Sequence, residues 1–257
     1  MEVGVVNLPT AEEFNLGGYL ALAMNLTLAA VGVFLLLRPS HSSVDRSVFR
    51  VKLWETKTLE AVLLTACLLF GTFGPGKLGF LPTLLVFLFC WCTRREKYPN
   101  LVGVPRMTWM TAIGDAFLRL LKTWPGLLAF SFVASFVLSG HPEQEAVRKL
   151  ANPESLEEAL AIAGYAMLVA PVLEEFLFRG ILYRAMKRPF GMGLAILLSA
   201  LLFALVHKNA LSFLPLTFLG VFLALAYERT GDLRTCILMH AFFNMTMVLF
   251  VIVRHAF

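Results

Sequence analysis

Long apolar stretches recur along nearly the whole chain, and they constrain its fold more than any other feature of the sequence. The length of each stretch is close to the about 20 residues that a helix needs to cross a bilayer. Only 15% of the 257 residues are charged, compared with about 25% in an average soluble domain. We therefore predict an all-α, polytopic membrane bundle of about eight transmembrane helices. The predicted spans are residues 17–37, 58–73, 78–93, 124–140, 157–183, 193–207, 211–227 and 235–253.

Lysine and arginine are distributed unevenly between the two sets of predicted loops. One set holds fourteen of them: Arg38, Arg46, Arg50, Lys52, Lys57, Arg94, Arg95, Lys97, Arg106, Arg184, Lys187, Arg188, Arg229 and Arg234. The other set, with the C-terminus, holds five: Lys77, Arg148, Lys149, Lys208 and Arg254. Because cytosolic loops of membrane proteins carry the excess of basic residues, the first set is predicted to be cytosolic and both termini to lie outside.

The net charge of +5 follows from basic loops that face anionic lipid. The expected partner of these loops is membrane lipid, and nucleic acid is not expected. The four cysteines, Cys67, Cys90, Cys92 and Cys236, lack CxxC spacing, so neither a disulfide framework nor a zinc ribbon is predicted.

The chain divides near residue 106, because every ionisable residue of interest inside an apolar stretch follows it. We predict residues 1–106 as N-terminal transmembrane helices without a diagnostic motif. Residues 107–257 are predicted to form an interfacial helix and a membrane-embedded core, whose motifs lie within 157–250.

Two local features surround the start of this core. Residues 107–123 place charged and apolar side chains on opposite helical faces, which predicts an interfacial helix that turns into the next span at Pro125 and Gly126. Residues 141–158 form the most polar stretch and are predicted to be an outside loop. Within it, Ser155 and Glu158 have the spacing of a capping box.

Two adjacent glutamates and an arginine interrupt the fifth predicted span, in the sequence EEFLFRG at residues 174–180. Each charge costs about 2.5 to 3.5 kcal/mol at the centre of a spanning helix unless it is compensated. Glu175 and Arg179 are four residues apart, which predicts an ion pair on one helical face. The side chain of Glu174 points about 100° around the helix axis from that of Glu175, so it lies outside this predicted ion pair. Pro171 predicts a kink beside these residues that can admit water.

Two histidines lie in or at the edge of later spans. His207 closes the sequence FALVH, in which Phe203 precedes it by one helical turn. His240 opens the sequence HAFFN, in which Asn244 follows one turn later. Each pair alone is more typical of a packing contact between membrane helices. Three polar motifs on three helices favour a shared site.

Together these side chains have the chemistry needed to hydrolyse an acyl bond without a covalent intermediate. A carboxylate and an imidazole can hold a water and remove its proton, while a second imidazole and an amide can stabilise an oxyanion. Glu175, paired with Arg179, suits an ionised supporting role, and Glu174 suits the base. The candidate catalytic residues are Glu174, Glu175, His207, His240 and Asn244, with Arg179 and Phe203 in support and with no metal or cofactor.

Three alternatives remain open at this stage. The polar cluster could serve packing or partner binding in a non-enzymatic membrane scaffold or immunity protein, or it could relay protons in a transporter. Glu174, His207 and His240 are also a ligand set that occurs in zinc proteases. The sequence contains neither HExxH, nor GxGD, nor GxSxG, so other protease mechanisms leave no trace.

The motifs E-E-x-x-x-R, F-x-x-x-H and H-x-x-x-N, in this order within residues 157–250, resemble those of the type II CAAX prenyl endopeptidases and the wider CPBP family of CAAX proteases and bacteriocin-processing enzymes. The resemblance implies a multi-pass intramembrane glutamic endopeptidase, in the cytoplasmic membrane of a prokaryote or the endoplasmic reticulum of a eukaryote, with its catalytic chamber open to the cytosol.

The same resemblance implies roles for the individual residues. Glu174 would activate water with His207, and His240 with Asn244 would form the oxyanion hole. Glu175 and Arg179 would support the site. The implied substrate is a lipid-modified or membrane-anchored protein or peptide that is cut near its C-terminal tail.

Overall fold

The computed structural model describes residues 16–37, Val51 and residues 107–256, and in this part of the chain all regular structure is helical. The α-helices are α1 (Leu16–Leu37), α2 (Trp109–Val137), α3 (Glu145–Ala151), α4 (Leu156–Gly164), α5 (Ala170–Glu175), α6 (Arg184–Val206), α7 (Ala210–Thr230) and α8 (Leu233–Ala256). Two π-helical segments flank α5: π1 (Tyr165–Val169) and π2 (Phe176–Tyr183).

Five helical segments of the described residues are long and apolar enough to cross a membrane. One of them, Leu156–Val206, has 51 residues. A helix of that length would measure about 77 Å, far more than the about 30 Å of a bilayer core. Gly191 breaks it with a φ of 73°, so the predicted spans 157–183 and 193–207 lie on either side of this residue. The predicted spans 58–73 and 78–93 lie outside the described residues.

The predicted interfacial helix does not form as a separate element. Instead, α2 runs without interruption through Pro125 and Gly126, where a turn was expected. Pro125 removes the hydrogen bond to the Leu121 carbonyl, and Gly32 of α1 packs against both residues at this point. A membrane helix tolerates an internal proline when a neighbouring helix covers the freed carbonyl, and the sequence of α2 alone does not reveal that neighbour.

The polar stretch between α2 and α4 contains a helix, α3, that was not predicted. The expected capping of α4 is present in part. Ser155 Oγ accepts a hydrogen bond from the Glu158 amide at 3.1 Å. The Glu158 carboxylate, however, accepts from the amide of Glu154 at 2.8 Å, one residue earlier than in a standard capping box.

Several segments of the chain meet at the end of the bundle where α3 lies, which we call the α3 end. Asn209 caps α7 and also donates from Nδ2 to the Pro142 carbonyl at 2.9 Å. Arg254, near the end of α8, pairs with Glu143 at 3.2 Å. Gly17, at the start of α1, packs against the backbone next to Arg254.

At the opposite end, which we call the basic end, lysine and arginine side chains connect neighbouring segments of the chain. Lys187 pairs with Glu228 at 2.7 Å and donates to the Val51 carbonyl at 2.9 Å. Arg234 donates to the Met107 carbonyl at 2.7 Å. The first contact places Lys187, at the end of the first half of the Leu156–Val206 segment, beside the end of α7. The last contact places Met107 beside the start of α8.

Small residues bring the helices of the core close together. An added Cβ at Gly220 of α7 would lie 2.9 Å from the Ala200 Cβ of α6, so the two helices pack with almost no space between their backbones. This contact lies close to the buried charges, because the Gly220 carbonyl itself accepts a hydrogen bond from Arg179. Close helix packing therefore places a backbone acceptor inside the site.

Candidate active site

The predicted ion pair between Glu175 and Arg179 is confirmed, and it extends into a network. Arg179 donates from one guanidinium nitrogen to Glu175 Oε1 at 2.7 Å and from the other to the Gly220 carbonyl at 3.0 Å. His240 Nδ1 lies 2.9 Å from the same Oε1 of Glu175. All three side chains are almost fully buried. The network therefore ties α5 and π2 to α7 and α8.

Glu174 is not part of that network. Its Oε2 lies 3.8 Å from Nε2 of His207 and 3.9 Å from Nε2 of His240. Both distances are too long for a direct hydrogen bond, and each can be bridged by one water. Glu174 Oε2 has no hydrogen-bond partner among the described residues. The structure thus brings together the three side chains that the sequence predicted to share a site.

The partners of the two imidazole rings indicate where their protons lie. His207 Nδ1 is 2.7 Å from the Phe203 carbonyl, and His240 Nδ1 is 2.9 Å from the Glu175 carboxylate. A carbonyl and an ionised carboxylate only accept hydrogen bonds, so both Nδ1 atoms are the donors. The Nε2 atom of each ring is the one that faces Glu174. In a neutral ring this atom accepts a hydrogen bond, and in a protonated ring it donates one.

Three acceptor atoms would therefore converge if Glu174 were ionised and both rings were neutral. Such a cluster repels itself in a buried site unless hydrogens or a cation lie among the three atoms. A water supplies two hydrogens, and protonation of one ring supplies a third. A metal ion would supply positive charge directly.

Phe203 holds the aromatic side of the site together. Its ring is fully buried and lies 4.9 Å from the ring of His207 and 5.5 Å from that of His240, both edge-on. The guanidinium of Arg179 lies over its face, 4.6 Å from the centroid. The phenyl ring thus fixes the orientation of both imidazoles and covers the cation that holds Glu175.

Asn244 lies one turn after His240 on α8 and lines the same cavity as Glu174. Its Nδ2 donates to the Ala166 carbonyl of π1 at 2.7 Å, which leaves one further N–H on the amide. The helix around Pro171 changes its hydrogen-bond pattern on both sides, with π1 before α5 and π2 after it. Such π-helical segments are frequent at functional sites.

A cavity of about 1030 Å³ leads to the site, and its wall includes Glu174, His207, His240 and Asn244. Further wall residues come from α3 and the segment before it: Glu143, Gln144, Glu145, Ala146, Lys149 and Leu150. Among the described residues, none in 175–206 or 217–239 lines it. The cavity therefore opens at the α3 end.

The described residues contain no group of three or more His, Cys, Asp or Glu side chains arranged to hold a metal ion. The distances of 3.8 and 3.9 Å from Glu174 to the two histidines are longer than the roughly 3.4 Å between tetrahedral zinc ligands. The donor types themselves suit zinc.

Residues 156–246 match the sequence model of the Rce1-like type II CAAX prenyl endopeptidases. This match contains all three motifs and every residue of the buried site. This stretch is similar to that family. The family is one of proteases, and the apolar helices make the chain an integral membrane protein.

One curated relative is an uncharacterized 24.3 kDa protein of Escherichia coli, which is 27% identical over 188 residues. The alignment covers 70% of this chain and 82% of that protein. No solved structure matches the chain.

Several parts of this Rce1-like site were not predicted. The carbonyls of Ala166 and Gly220 accept hydrogen bonds from site residues, but a backbone carbonyl leaves no mark in a sequence. Helix α3 lines the cavity although its sequence is polar. Its Glu145 and Lys149 form an exposed ion pair at 3.0 Å, and the hydrogen bond from Lys149 lowers the pKa of Glu145.

Proposed function

We propose that this protein is an intramembrane glutamic endopeptidase that hydrolyses a peptide bond near the C-terminus of a lipid-modified or membrane-anchored protein or peptide. The observation that carries the proposal is the convergence of Glu174 Oε2 with Nε2 of His207 and Nε2 of His240, at 3.8 and 3.9 Å from the carboxylate. All three side chains line the cavity, so a substrate can reach them.

A water among these three groups would be held by complementary hydrogen bonds. It would donate to Glu174 and to neutral His207, and it would accept from His240 in its protonated form. The Glu175 carboxylate accepts from Nδ1 of the same ring and so fixes the direction in which Nε2 points. The water oxygen then keeps a lone pair directed at a peptide carbonyl in the cavity.

The hydrolysis balances with the residues of this chain. Glu174 takes a proton from the water while the water oxygen attacks the carbonyl carbon of the peptide bond. The carbonyl oxygen then becomes an oxyanion. The Nε2–H of His240 moves from the water oxygen to that oxyanion as it forms, and the remaining N–H of Asn244 donates to it as well. When the carbon–nitrogen bond breaks, the proton on Glu174 passes to the leaving amine.

A zinc-dependent hydrolase is a second candidate, favoured by the Nδ1 contacts of the two histidines. A zinc-binding histidine almost always donates its other ring N–H to a carboxylate or a backbone carbonyl. His240 and His207 have these two kinds of partner, respectively. In this case Glu174 and both Nε2 atoms would hold a zinc ion, which would acidify a bound water.

The test uses purified protein in detergent and a library of quenched-fluorescent peptides. We expect Glu174→Gln to lower cleavage by about 10² to 10⁴-fold, because an amide cannot accept the proton. The matched control is Glu143→Gln at the cavity mouth, which should cleave like the wild type. Wild-type turnover in Glu174→Gln, with an unchanged elution volume in gel filtration, would rule out the proposed base.

Zinc content separates the two candidates. For the glutamic mechanism we expect no stoichiometric zinc and full activity after dialysis against a strong chelator. Asn244→Ala should lose about 10² to 10³-fold in turnover, because one oxyanion donor is gone. One zinc per chain, removed by the chelator together with activity and restored by added zinc, would instead establish the metal mechanism.

A further inference from the structure

A side-chain amide lies near the middle of the apolar helix α1 and faces the cavity. This residue, Asn25, is half-buried and lines the cavity wall, and none of the 22 residues of α1 is charged. Its Nδ2 donates to the Ala21 carbonyl at 3.2 Å, which leaves a second N–H and Oδ1 without a partner among the described residues. Polar groups inside a bilayer are costly unless they are hydrogen-bonded, so these two groups suit a ligand in the cavity.

Two serines of α2, Ser131 and Ser135, line the same cavity. A hydroxyl inside a helix can donate to the carbonyl one turn earlier, as those of Thr123 and Thr217 do at 2.8 Å. Within the part of the chain that the structure describes, neither serine makes such a bond. Both hydroxyls are therefore also available to a ligand.

The packing of α1 on α2 sets the depth of Asn25. Gly32 lies against the Leu121 carbonyl and the Pro125 ring, whereas Gly17 lies at the α3 end. Because α2 also ends at the α3 end, the two helices run antiparallel. Asn25 precedes Gly32 by two helical turns, so it lies about 10 Å nearer to the α3 end.

The two serines lie at a matching depth on α2. Ser131 is about 9 Å beyond Pro125 in the same direction, and Ser135 follows one turn later. Asn25, Ser131 and Ser135 thus form a row of hydrogen-bonding groups on one side of the cavity, which we call the polar strip. Much of the remaining wall is aliphatic, with the residues Leu127, Leu128, Leu211, Leu216, Val248 and Val251.

The polar strip lies farther from the basic end than the side chains proposed to act in hydrolysis. The ring of Trp124 on α2 is 6.2 Å, between centroids, from that of Phe243, the neighbour of Asn244 on α8. Ser131 and Ser135 lie about 10 and about 17 Å farther along α2 than Trp124. Since an extended chain rises about 3.3 Å per residue, these distances correspond to about three and about five residues of a bound peptide.

We propose that the polar strip binds the backbone of an extended polypeptide, about three to five residues from the bond that is cut. A carboxamide and a hydroxyl each offer a donor and an acceptor, as a peptide group does, and the aliphatic wall suits apolar side chains of the same polypeptide. The distance to the cut bond rests on the proposed protease function, whereas the binding of a backbone does not. All three residues of the strip lie outside the family match at 156–246.

The first test compares the kinetics of Asn25→Leu and wild type on a quenched-fluorescent peptide that the purified wild type cleaves. We expect KM to rise by about 3- to 10-fold with little change in kcat, because a hydrogen bond to the backbone is lost equally from the ground state and the transition state. Loss of folded protein would instead lower the apparent kcat and leave KM unchanged. An unchanged KM in Asn25→Leu would overturn the polar strip.

The matched control is Thr27→Val on the same helix. Thr27 is exposed, lies outside the cavity wall and donates to the Ala23 carbonyl at 2.8 Å. Its substitution also removes a polar group from α1, but it should leave KM at the wild-type value. An equal rise of KM in both variants would show that the effect comes from the helix and not from a contact with the peptide.

The second test replaces single peptide groups of the substrate by esters, which lack the N–H donor. In the wild type, an ester about three to five residues from the cut bond should raise KM by about 3- to 10-fold. At the position that bonds to Asn25, the same ester should have no further effect in Asn25→Leu, since the two changes remove one interaction. Equal factors in both proteins at every position would overturn the proposed contact.

Binding without cleavage separates the polar strip from the protease function. A fluorescein-labelled peptide of alternating leucine and serine is titrated into Glu174→Gln protein, with and without Asn25→Leu, and its anisotropy is measured. We expect Asn25→Leu to raise Kd by about 3- to 10-fold. This result, without cleavage of any peptide by the wild type, would refute the protease function and support the strip. Equal Kd values, or no binding to either protein, would overturn the strip, while cleavage by the wild type would still support the protease function.

Discussion

Glu175 is the residue on which the positions of the other site residues most depend. One of its carboxylate oxygens, Oε1, accepts from Arg179 at 2.7 Å and lies 2.9 Å from His240 Nδ1. Removing one partner of a buried ion pair leaves an uncompensated charge, which typically costs about 3 to 5 kcal/mol. The carboxylate thus links the stability of the bundle to the orientation of the His240 ring.

We expect Glu175→Ala and Arg179→Ala each to lower the melting temperature in detergent and to reduce peptide cleavage. The matched control is Glu145→Ala, which breaks an ion pair of the same four-residue spacing whose two side chains are 71% and 56% exposed. Its melting temperature should equal that of the wild type. If the buried and the exposed pair gave equal, small changes, the buried network would not stabilise the fold.

At the level of elements, the contact between α6 and α7 sets the depth of the site. Gly220 allows the two helices to approach, and its carbonyl holds Arg179 at 3.0 Å. Substitution by alanine would place a methyl group 2.9 Å from the Ala200 Cβ, closer than real Cβ contacts permit. The helices would have to separate, and the acceptor of Arg179 would move with them.

We therefore expect Gly220→Ala to lower both the melting temperature and peptide cleavage. The control is Gly114→Ala in α2, where an added Cβ meets nothing within 4 Å and where alanine favours the helix by about 1 kcal/mol. The double variant Ala200→Gly, Gly220→Ala removes the shortest contact and leaves the Cα of residue 200 at 3.0 Å, so it should recover part of the loss. A Gly220→Ala protein with wild-type stability and activity would contradict this role of the contact.

At the level of the whole molecule, the described helices form a bundle with a cavity at one end and a closed, basic opposite end. The mouth includes the exposed residue Ala146, which lines the cavity, while Arg188 lies at the far end of the Leu156–Phe190 part of the chain. Chemical modification at these two positions should therefore differ in its effect on turnover, whichever side of the membrane each end faces.

In a protein whose four native cysteines are replaced by serine, we expect a bulky maleimide on Ala146→Cys to inhibit peptide cleavage by purified protein. The same reagent on Arg188→Cys should leave cleavage unchanged, which controls for labelling as such. Mass spectrometry measures the extent of modification in both proteins. Equal inhibition, or full activity of the completely modified Ala146→Cys protein, would show that the described mouth is not the route to Glu174.

Features that depend on neighbouring residues of one helix could be predicted from the sequence alone. Apolar length predicted the spans within the described residues except for the start of α2, because the bilayer sets the length of a helix. The four-residue spacing predicted the contact between Glu175 and Arg179, because one turn of a helix brings these side chains together. The three motifs also predicted that Glu174, His207 and His240 would meet.

Only the tertiary structure decided how these local elements combine. The bond between His240 and Glu175 joins residues 65 positions apart, and it depends on the rotation and depth of two helices. Packing at Gly220 and Ala200 sets one such depth, and packing at Gly32 lets α2 continue through Pro125. The end at which the cavity opens is likewise a property of the assembled helices, because the path to Glu174 is bounded by side chains from several of them at once.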